Sequence, residues 1–548
     1  MATITGSEVL AKALQTQGVD TMFYLMGGPM LETEAACIQL GIRAIDHRHE
    51  QAAAFAAHAY TRVLRRPGVC MGASGPGATN LLTGVATAFT DCAPLVAIGG
   101  SSPRVYLGME AFQEIDQLAV FKPVTKWAER VYDARRIPDV VASAFRQATS
   151  GRPGPVYLDL PGDVLGEKVE EASVKYAPAW KPSPRTLGDT GAIKEAIALL
   201  ARAERPLVIA GSGVWWSDGA AALQAFVEAS GIPFYTKPIS RGLIPEDHAL
   251  SFLNARSTAF TEADVVLAVG TRFDWMIQYG RPPRFGADLK VIQVDVNPAE
   301  LGHNREVDVA IAGDARAVLQ QLTDEARGRL DPRRYGNWIG KLRVIDAEKG
   351  AESDKAMSTD NLPIHPLRLC KEVRDFLERD AILVVDGQEI LNFGRQAIPT
   401  YTPGHRLNSG AFGTMGVGLP YGVGAKVAKP NAQVLVLHGD GSFGINAMDI
   451  DTAVRHKIPL VCVISNNGGW TADAPWTRPL PKPGRNLGYT RYDRLAMDLG
   501  AHGEHVEKPN DIRPALERAF AAGKPAVVNV ITDHKARATT VRFSAYTT

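Results

Sequence analysis

The stretch from His438 to Trp470 reads HGDGSFGINAMDIDTAVRHKIPLVCVISNNGGW. An apolar run (VLVL) leads into Gly439-Asp440-Gly441-Ser442, and a second (PLVCVIS) leads into Asn466-Asn467-Gly468-Gly469, with a helical pattern between them. Strand, helix and strand in that order put both polar turns at the C-terminal ends of adjacent parallel strands. Asp440 and Asn467 then converge as oxygen ligands, the donors that Mg²⁺ selects along with carbonyls and phosphates. The glycines let the backbone approach a diphosphate, and a helix N-terminus stabilises the anion. A GDG alone is an ordinary turn; followed by a strand-ended NN it points to a metal–diphosphate site.

Such a site needs parallel strands with their ends side by side. Short Val/Ile/Leu runs ending in Gly, Asp or Asn recur along the chain, among them GPVYLDL, RPLVIAG, ADVVLAVG, KVIQVDV and AILVVDG. Runs of this kind are buried parallel strands, and their alternation with helical patterns predicts an α/β fold with central parallel sheets flanked by helices. Ligands gather at the strand C-termini of such sheets. The chain has 548 residues, enough for about three domains. Two polar segments, 168–190 and 330–364, divide it into 1–180, 190–330 and 360–548. Hydrophobic residues are 45%, charged residues 22% and the net charge is +1. That composition excludes extensive disorder and a general nucleic-acid binder, which needs a basic face. No apolar window is long enough for a membrane span. The start reads as a capped helix, unlike a signal peptide. Five scattered cysteines without a CxxC pair suggest reduced thiols and a cytoplasmic setting.

The GDG–NN pair resembles the thiamine-diphosphate-binding motif of the thiamine-dependent decarboxylase and carboligase superfamily, and the likeness covers essentially the whole chain. It implies a pyrimidine-binding, a nucleotide-binding and a diphosphate-binding domain, in that order. By this resemblance Asp440, the Asn467 side chain and the Gly469 carbonyl hold Mg²⁺. Ser442 and the Gly387-Gln388-Glu389 turn touch the diphosphate, and Gly439, Gly441 and Trp470 are further cofactor contacts. Met415 and the Gly413 carbonyl, in GAFGTMGVGLPYGVGAK, support the cofactor's bent shape. The cofactor also takes a carboxylic acid at N1′ of its aminopyrimidine. Glu50, which follows IRAID and opens an Ala-rich helix, resembles that acid; as a bare helix-first Glu it would only stabilise the dipole. Gly75 and Asn80 lie in the pyrimidine-side turn SGPGATN. Gln113, in AFQEIDQ, resembles a glutamine facing the reaction centre. The first domain has no His-His pair, which speaks against a pyruvate-decarboxylase-like enzyme.

The middle segment carries strand-ended Gly turns and an acidic strand end, features of a nucleotide site. It resembles the FAD-binding domain of acetolactate synthases and the ADP-binding domain of oxalyl-CoA decarboxylases and 2-hydroxyacyl-CoA lyases. Arg152, Gly213, Arg272, Asp295 and Asp314 are the expected contacts, with ADP the expected ligand. NNG plus an aromatic, and the RLNSG lead-in, resemble the acyl-CoA group. After Asp533 the tail carries Lys535, Arg537 and Arg542 and no acid, a composition that can cover the site and pair with CoA phosphates. The resemblance implies a 2-hydroxyacyl-CoA lyase releasing formyl-CoA and an aldehyde or ketone, with a small CoA thioester as partner. It also implies a homo-oligomer, a tetramer in which two subunits share each site. Oxalyl-CoA decarboxylase and an acetolactate-synthase-like or benzaldehyde-lyase-like carboligase are the alternatives.

Overall fold

The structure is a computed structural model that describes residues 2–179, 185–470 and 483–538. The chain builds three parallel sheets. The first comprises β1 (Thr21–Tyr24), β2 (Arg43–Asp46), β3 (Gly68–Gly72), β4 (Leu95–Ser101), β5 (Trp127–Arg130) and β6 (Val156–Pro161), in the order β2-β1-β3-β4-β6-β5. The second comprises β7 (Pro206–Ala210), β8 (Phe234–Thr236), β9 (Val265–Val269), β10 (Lys290–Asp295) and β11 (Val309–Ala312), in the order β8-β7-β9-β10-β11. The third comprises β12 (Ile382–Asp386), β13 (Arg406–Leu407), β14 (Val434–Gly439), β15 (Val461–Asn466), β16 (His502–Val506) and β17 (Ala526–Ile531), in the order β13-β12-β14-β15-β17-β16. The first and third sheets share one topology, which their sequences do not reveal. In each sheet the chain leaves two neighbouring central strands in opposite directions, between β1 and β3, β7 and β9, and β12 and β14. A crevice opens at such a switch point beyond the strand C-termini.

The first and third sheets are joined through two helices, α1 (Glu50–Leu64) and α2 (Pro76–Thr90) being the helices of the first sheet that matter to the site. Alanine fills much of α1, giving high helix propensity and almost no bulk. It packs on a Gly-rich helix of the third sheet, Gly418–Ala428. A Cβ added at Gly424 would lie 2.1 Å from the Ala56 carbonyl oxygen, so glycine permits the close crossing. Phe55, Ala56, Leu419, Tyr421 and Val423 are all fully buried in this shared core.

Two local expectations change. The polar segment 330–364 contains a long helix, α3 (Gly336–Met357), whose Trp338, Leu342 and Met357 are buried while most of its surface is solvated. The single helix expected between the GDG and NN turns is two. α4 (Gly418–Ala428) is followed by β14, then α5 (Asp440–Ile445) and α6 (Asp449–Arg455). Asn446 interrupts the run; its side chain donates to the Gly416 carbonyl at 2.7 Å. The N-terminal helix, Gly6–Thr16, is capped by a Thr5–Glu8 capping box, as its sequence predicts. No described helix is long and apolar enough to cross a membrane.

Candidate active site

Three concavities sit at the three switch points. The third-sheet crevice is lined by Gly387, Gln388, Glu389, Met415, Gly439, Asp440, Gly441, Ser442, Asn467, Gly469 and Trp470, together with Pro366, Ile390, Ser465 and Ala536. The pairing of β14 with both β12 and β15 brings the Gly387, Asp440 and Asn467 turns together. Asp440 is 3% exposed; its Oδ1 accepts from the Gly441 amide and its buried Oδ2 has no partner. Burial pushes its carboxyl up to about 6. One end of the Asn467 amide lies 2.8 Å from the Gly469 carbonyl oxygen and 3.3 Å from Asp440 Oδ1. With nitrogen there, these are two hydrogen bonds. With oxygen there, three oxygens face one another, and only a cation reconciles them. Among the described residues no three His, Cys, Asp or Glu form a metal cluster, so a metal here uses amide and carbonyl oxygens. The residues fit a hard divalent cation.

The Trp470 ring lies so close over Gly441 that a Cβ there would sit 2.6 Å from it. Ser442 Oγ lies 3.1 Å from the Asp386 carbonyl and 3.0 Å from the Gly439 carbonyl, tying two strand ends. Asp386 beneath them is pushed up to about 7 by burial, and His438 down to about 3. Glu389 accepts from the Ala538 amide at 2.9 Å, so it anchors the start of the tail, and Ala536 closes the crevice wall. Lys535 and Arg537 are exposed beside it; Arg542 lies outside the described residues. Gly413 does not line the crevice, although its neighbour Met415 does.

The first-sheet crevice, about 820 Å³, holds Glu50 and Gln113. Such a volume accommodates a drug-sized ligand. Glu50 opens α1 and is 6% exposed; Asn80 on α2 donates to its Oε2 at 3.0 Å. Asn80 therefore orients the acid. Gln113 has φ +58°, and Ser74 donates to its Oε1 at 2.8 Å, which holds the amide within the crevice lining. The Gly75 amide donates to Gln117 Oε1, and Gly75 sits behind the wall made by Ser74, Pro76 and Gly77. Met26, Gly27 and Gly28, in the turn after β1, form the opposite wall with Tyr106, Met109 and Phe112. Glu50 is the one charged group in this lining, and no Lys, Arg or His faces it among the described residues.

The second-sheet crevice is lined by Arg152, Gly213, Arg272 and Asp295, and also by Asp91, Cys92, Lys237 and Gly410-Ala411. Thr271 Oγ1 and Asp91 Oδ1 are buried there without partners, polar atoms that a ligand could satisfy. Asp314 is not brought in. It caps the helix Ala315–Ala326 through the Ala317 amide and pairs with Arg185.

Sequence reasoning missed one feature. Arg241, Arg256, Arg284 and Arg395 gather where the middle domain meets the third. Burial, and then the charges of Arg395, Arg284 and Arg241, pull Arg256 down to about 9. Burial with Arg241 and Arg284 lowers Arg395 too, and burial lowers Arg284. Arg256 and Arg284 both lie over the Phe260 ring, at 5.2 and 4.9 Å. Glu246 serves Arg241. The arginines come from separate elements, so no spacing announces them.

Residues 4–120, 193–322 and 391–530 match, respectively, the N-terminal TPP binding domain, the central domain and the C-terminal TPP binding domain described for thiamine pyrophosphate enzymes. The chain belongs to the thiamine pyrophosphate enzyme family. Relatives within and around it divide by activity. "Acetolactate synthase large subunit IlvG" of Mycobacterium tuberculosis is 38% identical over 97% of this chain and 96% of its own. "2-hydroxyacyl-CoA lyase 1" of Homo sapiens is 34% identical over 97% and 95%. "Oxalyl-CoA decarboxylase" of Escherichia coli K12 is 34% identical over 96% and 95%. Identity at this level gives a thiamine pyrophosphate enzyme and leaves its substrate to the chemistry of the crevices.

Proposed function

We propose that the protein is a Mg²⁺- and thiamine-diphosphate-dependent 2-hydroxyacyl-CoA lyase, cleaving its substrate to formyl-CoA and an aldehyde or ketone and running in reverse as a carboligase. The observation that carries the choice of a CoA ester is the Arg256–Arg284–Arg395 group. These half-buried guanidiniums lie close enough to lower one another's pKa, so together they form a strongly positive surface, and arginine suits phosphate. The helix carrying Arg395, Glu389–Ala397, begins at the crevice of Asp440, about 9 Å of helix away, which supports one ligand touching both. A cation-free, largely apolar first-sheet crevice supports an apolar acyl group over the carboxylate of an oxalyl group or a 2-oxoacid.

When bound, thiamine diphosphate supplies a carbon nucleophile and an electron sink for breaking the carbon–carbon bond beside a carbonyl. Asp440, Asn467 and the Gly469 carbonyl would hold the metal, with Gly387, Gln388, Gly439, Gly441 and Ser442 around the diphosphate and Met415 and Gly413 supporting the rings. Glu50 would exchange a proton with the pyrimidine N1′ while Asn80 fixes its carboxylate. Gln113 would hold the substrate's oxygen. Trp470 and the tail after Asp533 would exclude water, which strengthens electrostatics in the site.

The first- and third-sheet crevices share no lining residue, and the rim of the first exposes Met109 at 68% and Phe112 at 86%. These support a site completed by a second copy of the chain, in a dimer or tetramer. The second-sheet crevice we assign to ADP, with FAD as the alternative. All five cysteines are free and buried, in keeping with a cytoplasmic enzyme. A panel of 2-hydroxyacyl-CoA esters, oxalyl-CoA and pyruvate, with products identified, tests the reading. Formyl-CoA from the first class is expected. Carbon dioxide from oxalyl-CoA, or acetolactate from pyruvate, without turnover of 2-hydroxyacyl-CoA, would overturn it.

A further inference from the structure

The turn that presents Glu50 is held by the third domain of the same chain. Strand β2 ends at Asp46, and His47-Arg48-His49 leads directly into Glu50. Asp449, the first residue of α6 and 2% exposed, accepts from the Arg48 amide through Oδ1 at 3.2 Å and meets His47 Nδ1 through Oδ2 at 3.3 Å. His47 is fully buried, and its own amide donates to the Tyr24 carbonyl at the end of β1. Thr452 donates to Asp449 Oδ1 at 3.1 Å and fixes the carboxylate. The other end of α6 grips the same turn: Arg455 pairs with Asp46 at 2.6 Å, and His456 Nε2 lies 2.6 Å from Asp46 Oδ1. Every residue from Asp46 to Arg48 is therefore bonded to α6. The same segment begins at Asp440, with α5 leading into α6.

We propose that Asp449 is the positioning residue of the acid: it sets where Glu50 stands, and it ties that placement to the metal-binding turn of its own chain. The inference rests on the reading of Glu50 as the acid at the cofactor. Asp449 lines neither crevice, so it acts on the reaction by holding the turn before Glu50. A catalytic group held about 1 Å out of place costs rate far more than affinity.

The test uses the full-length holoenzyme and, alongside it, the protein without cofactor. In the holoenzyme, hydrogen exchange at C2 of bound thiamine diphosphate is followed by quenched-flow NMR. Asp449→Ala is expected to slow this exchange and kcat together by about ten- to a hundredfold, with KM within about twofold. Asp449→Asn, which keeps the acceptor for the Arg48 amide, is expected to recover most of the loss. Without cofactor, amide exchange over residues 44–52 is expected to quicken in Asp449→Ala and to stay slow in Asp449→Asn. Wild-type C2 exchange in Asp449→Ala, in a protein where Glu50→Gln abolishes it, overturns the proposal. Wild-type exchange in both variants overturns the reading of Glu50 and the proposal with it. Should Asp449→Ala fail to fold, His456→Gln loosens the same turn from its other end and is read by the same criteria.

Discussion

Replacing Arg256 by alanine should make the protein more stable and worse at using a CoA ester. Burial and three neighbouring guanidiniums drag Arg256 to about 9. A base whose pKa is lowered by folding costs stability wherever it is charged in both states, so the cost is fully present below about pH 9 and fades as pH rises beyond it. One unit is about 1.4 kcal/mol. Discounted for its partial exposure, relief of the charge is worth on the order of 2 kcal/mol, against about 1 kcal/mol of lost stacking on Phe260. The net, about 1 kcal/mol, raises Tm by roughly 1 °C for a chain of this length. In the same variant a charge-assisted hydrogen bond to phosphate disappears, about 1.5–3 kcal/mol, so KM should rise about ten- to a hundredfold. Steady-state kinetics with a 2-hydroxyacyl-CoA and with the matching acyl-pantetheine thioester separate the two effects. Wild-type enzyme should prefer the CoA ester, and Arg256→Ala should treat both alike. An unchanged preference, with Tm raised or not, would refute a phosphate role for the cluster.

Other outcomes follow from the same geometry. Asp440→Ala removes the proposed metal ligand, a carboxylate with an unpartnered buried oxygen; it should abolish the thermal stabilisation that Mg²⁺ plus thiamine diphosphate give, about 4 kcal/mol at a thousandfold excess over Kd, while leaving the cofactor-free Tm within a few degrees. Retained stabilisation would exclude Asp440 as a ligand. Glu34 is 4% exposed with an unpartnered Oε1, and burial raises its carboxyl from 4.5 to about 7. A raised acid favours the fold while protonated, so its contribution fades as pH climbs from about 4.5 through 7. Glu34→Gln should match wild type near pH 4 and exceed it by about 3 kcal/mol at pH 8, measured by urea midpoints; parallel curves would contradict this. Gly424→Ala should destabilise the contact between the first and third domains by several kcal/mol, because its Cβ would meet backbone rather than a movable side chain. A Tm within a degree of wild type would show that the two helices can part.

How far the sequence could be read depends on whether a function lies along one strand end or across several elements. The Asp440 and Asn467 turns were legible because buried parallel strands are unbroken apolar runs and their polar ends stand out. Their adjacency, and that of Gly387, then followed from one βαβ unit and its neighbour. Asp295 and Asp314 looked alike as acids after short strands, yet one lines the crevice and the other caps a helix; Asp followed by a helix satisfies both patterns. The helix Gly336–Met357 read as a linker because only a thin stripe of it is buried. Arg256, Arg284 and Arg395 and the Asp449 clamp left no local mark, since their partners lie on other elements.

The shared topology of the first and third sheets draws these observations together. Glu50 and Asp440 belong to equivalent crevices in two copies of one strand order. The third crevice carries an unpartnered carboxylate oxygen beside the Asn467 amide and the Gly469 carbonyl, so it suits the metal and diphosphate. The first carries a single acid in a largely apolar lining, so it suits the cofactor's ring. Topology alone fixes where both crevices lie, and the side chains at the strand ends decide which half of the cofactor each can take. Because α6 holds the turn before Glu50 while α5 begins at Asp440, one short segment links the two crevices of a chain. If each active site is completed by a second copy, that segment joins two different active sites, and a perturbation at Asp449 should be felt in the partner's half of the reaction as well as its own.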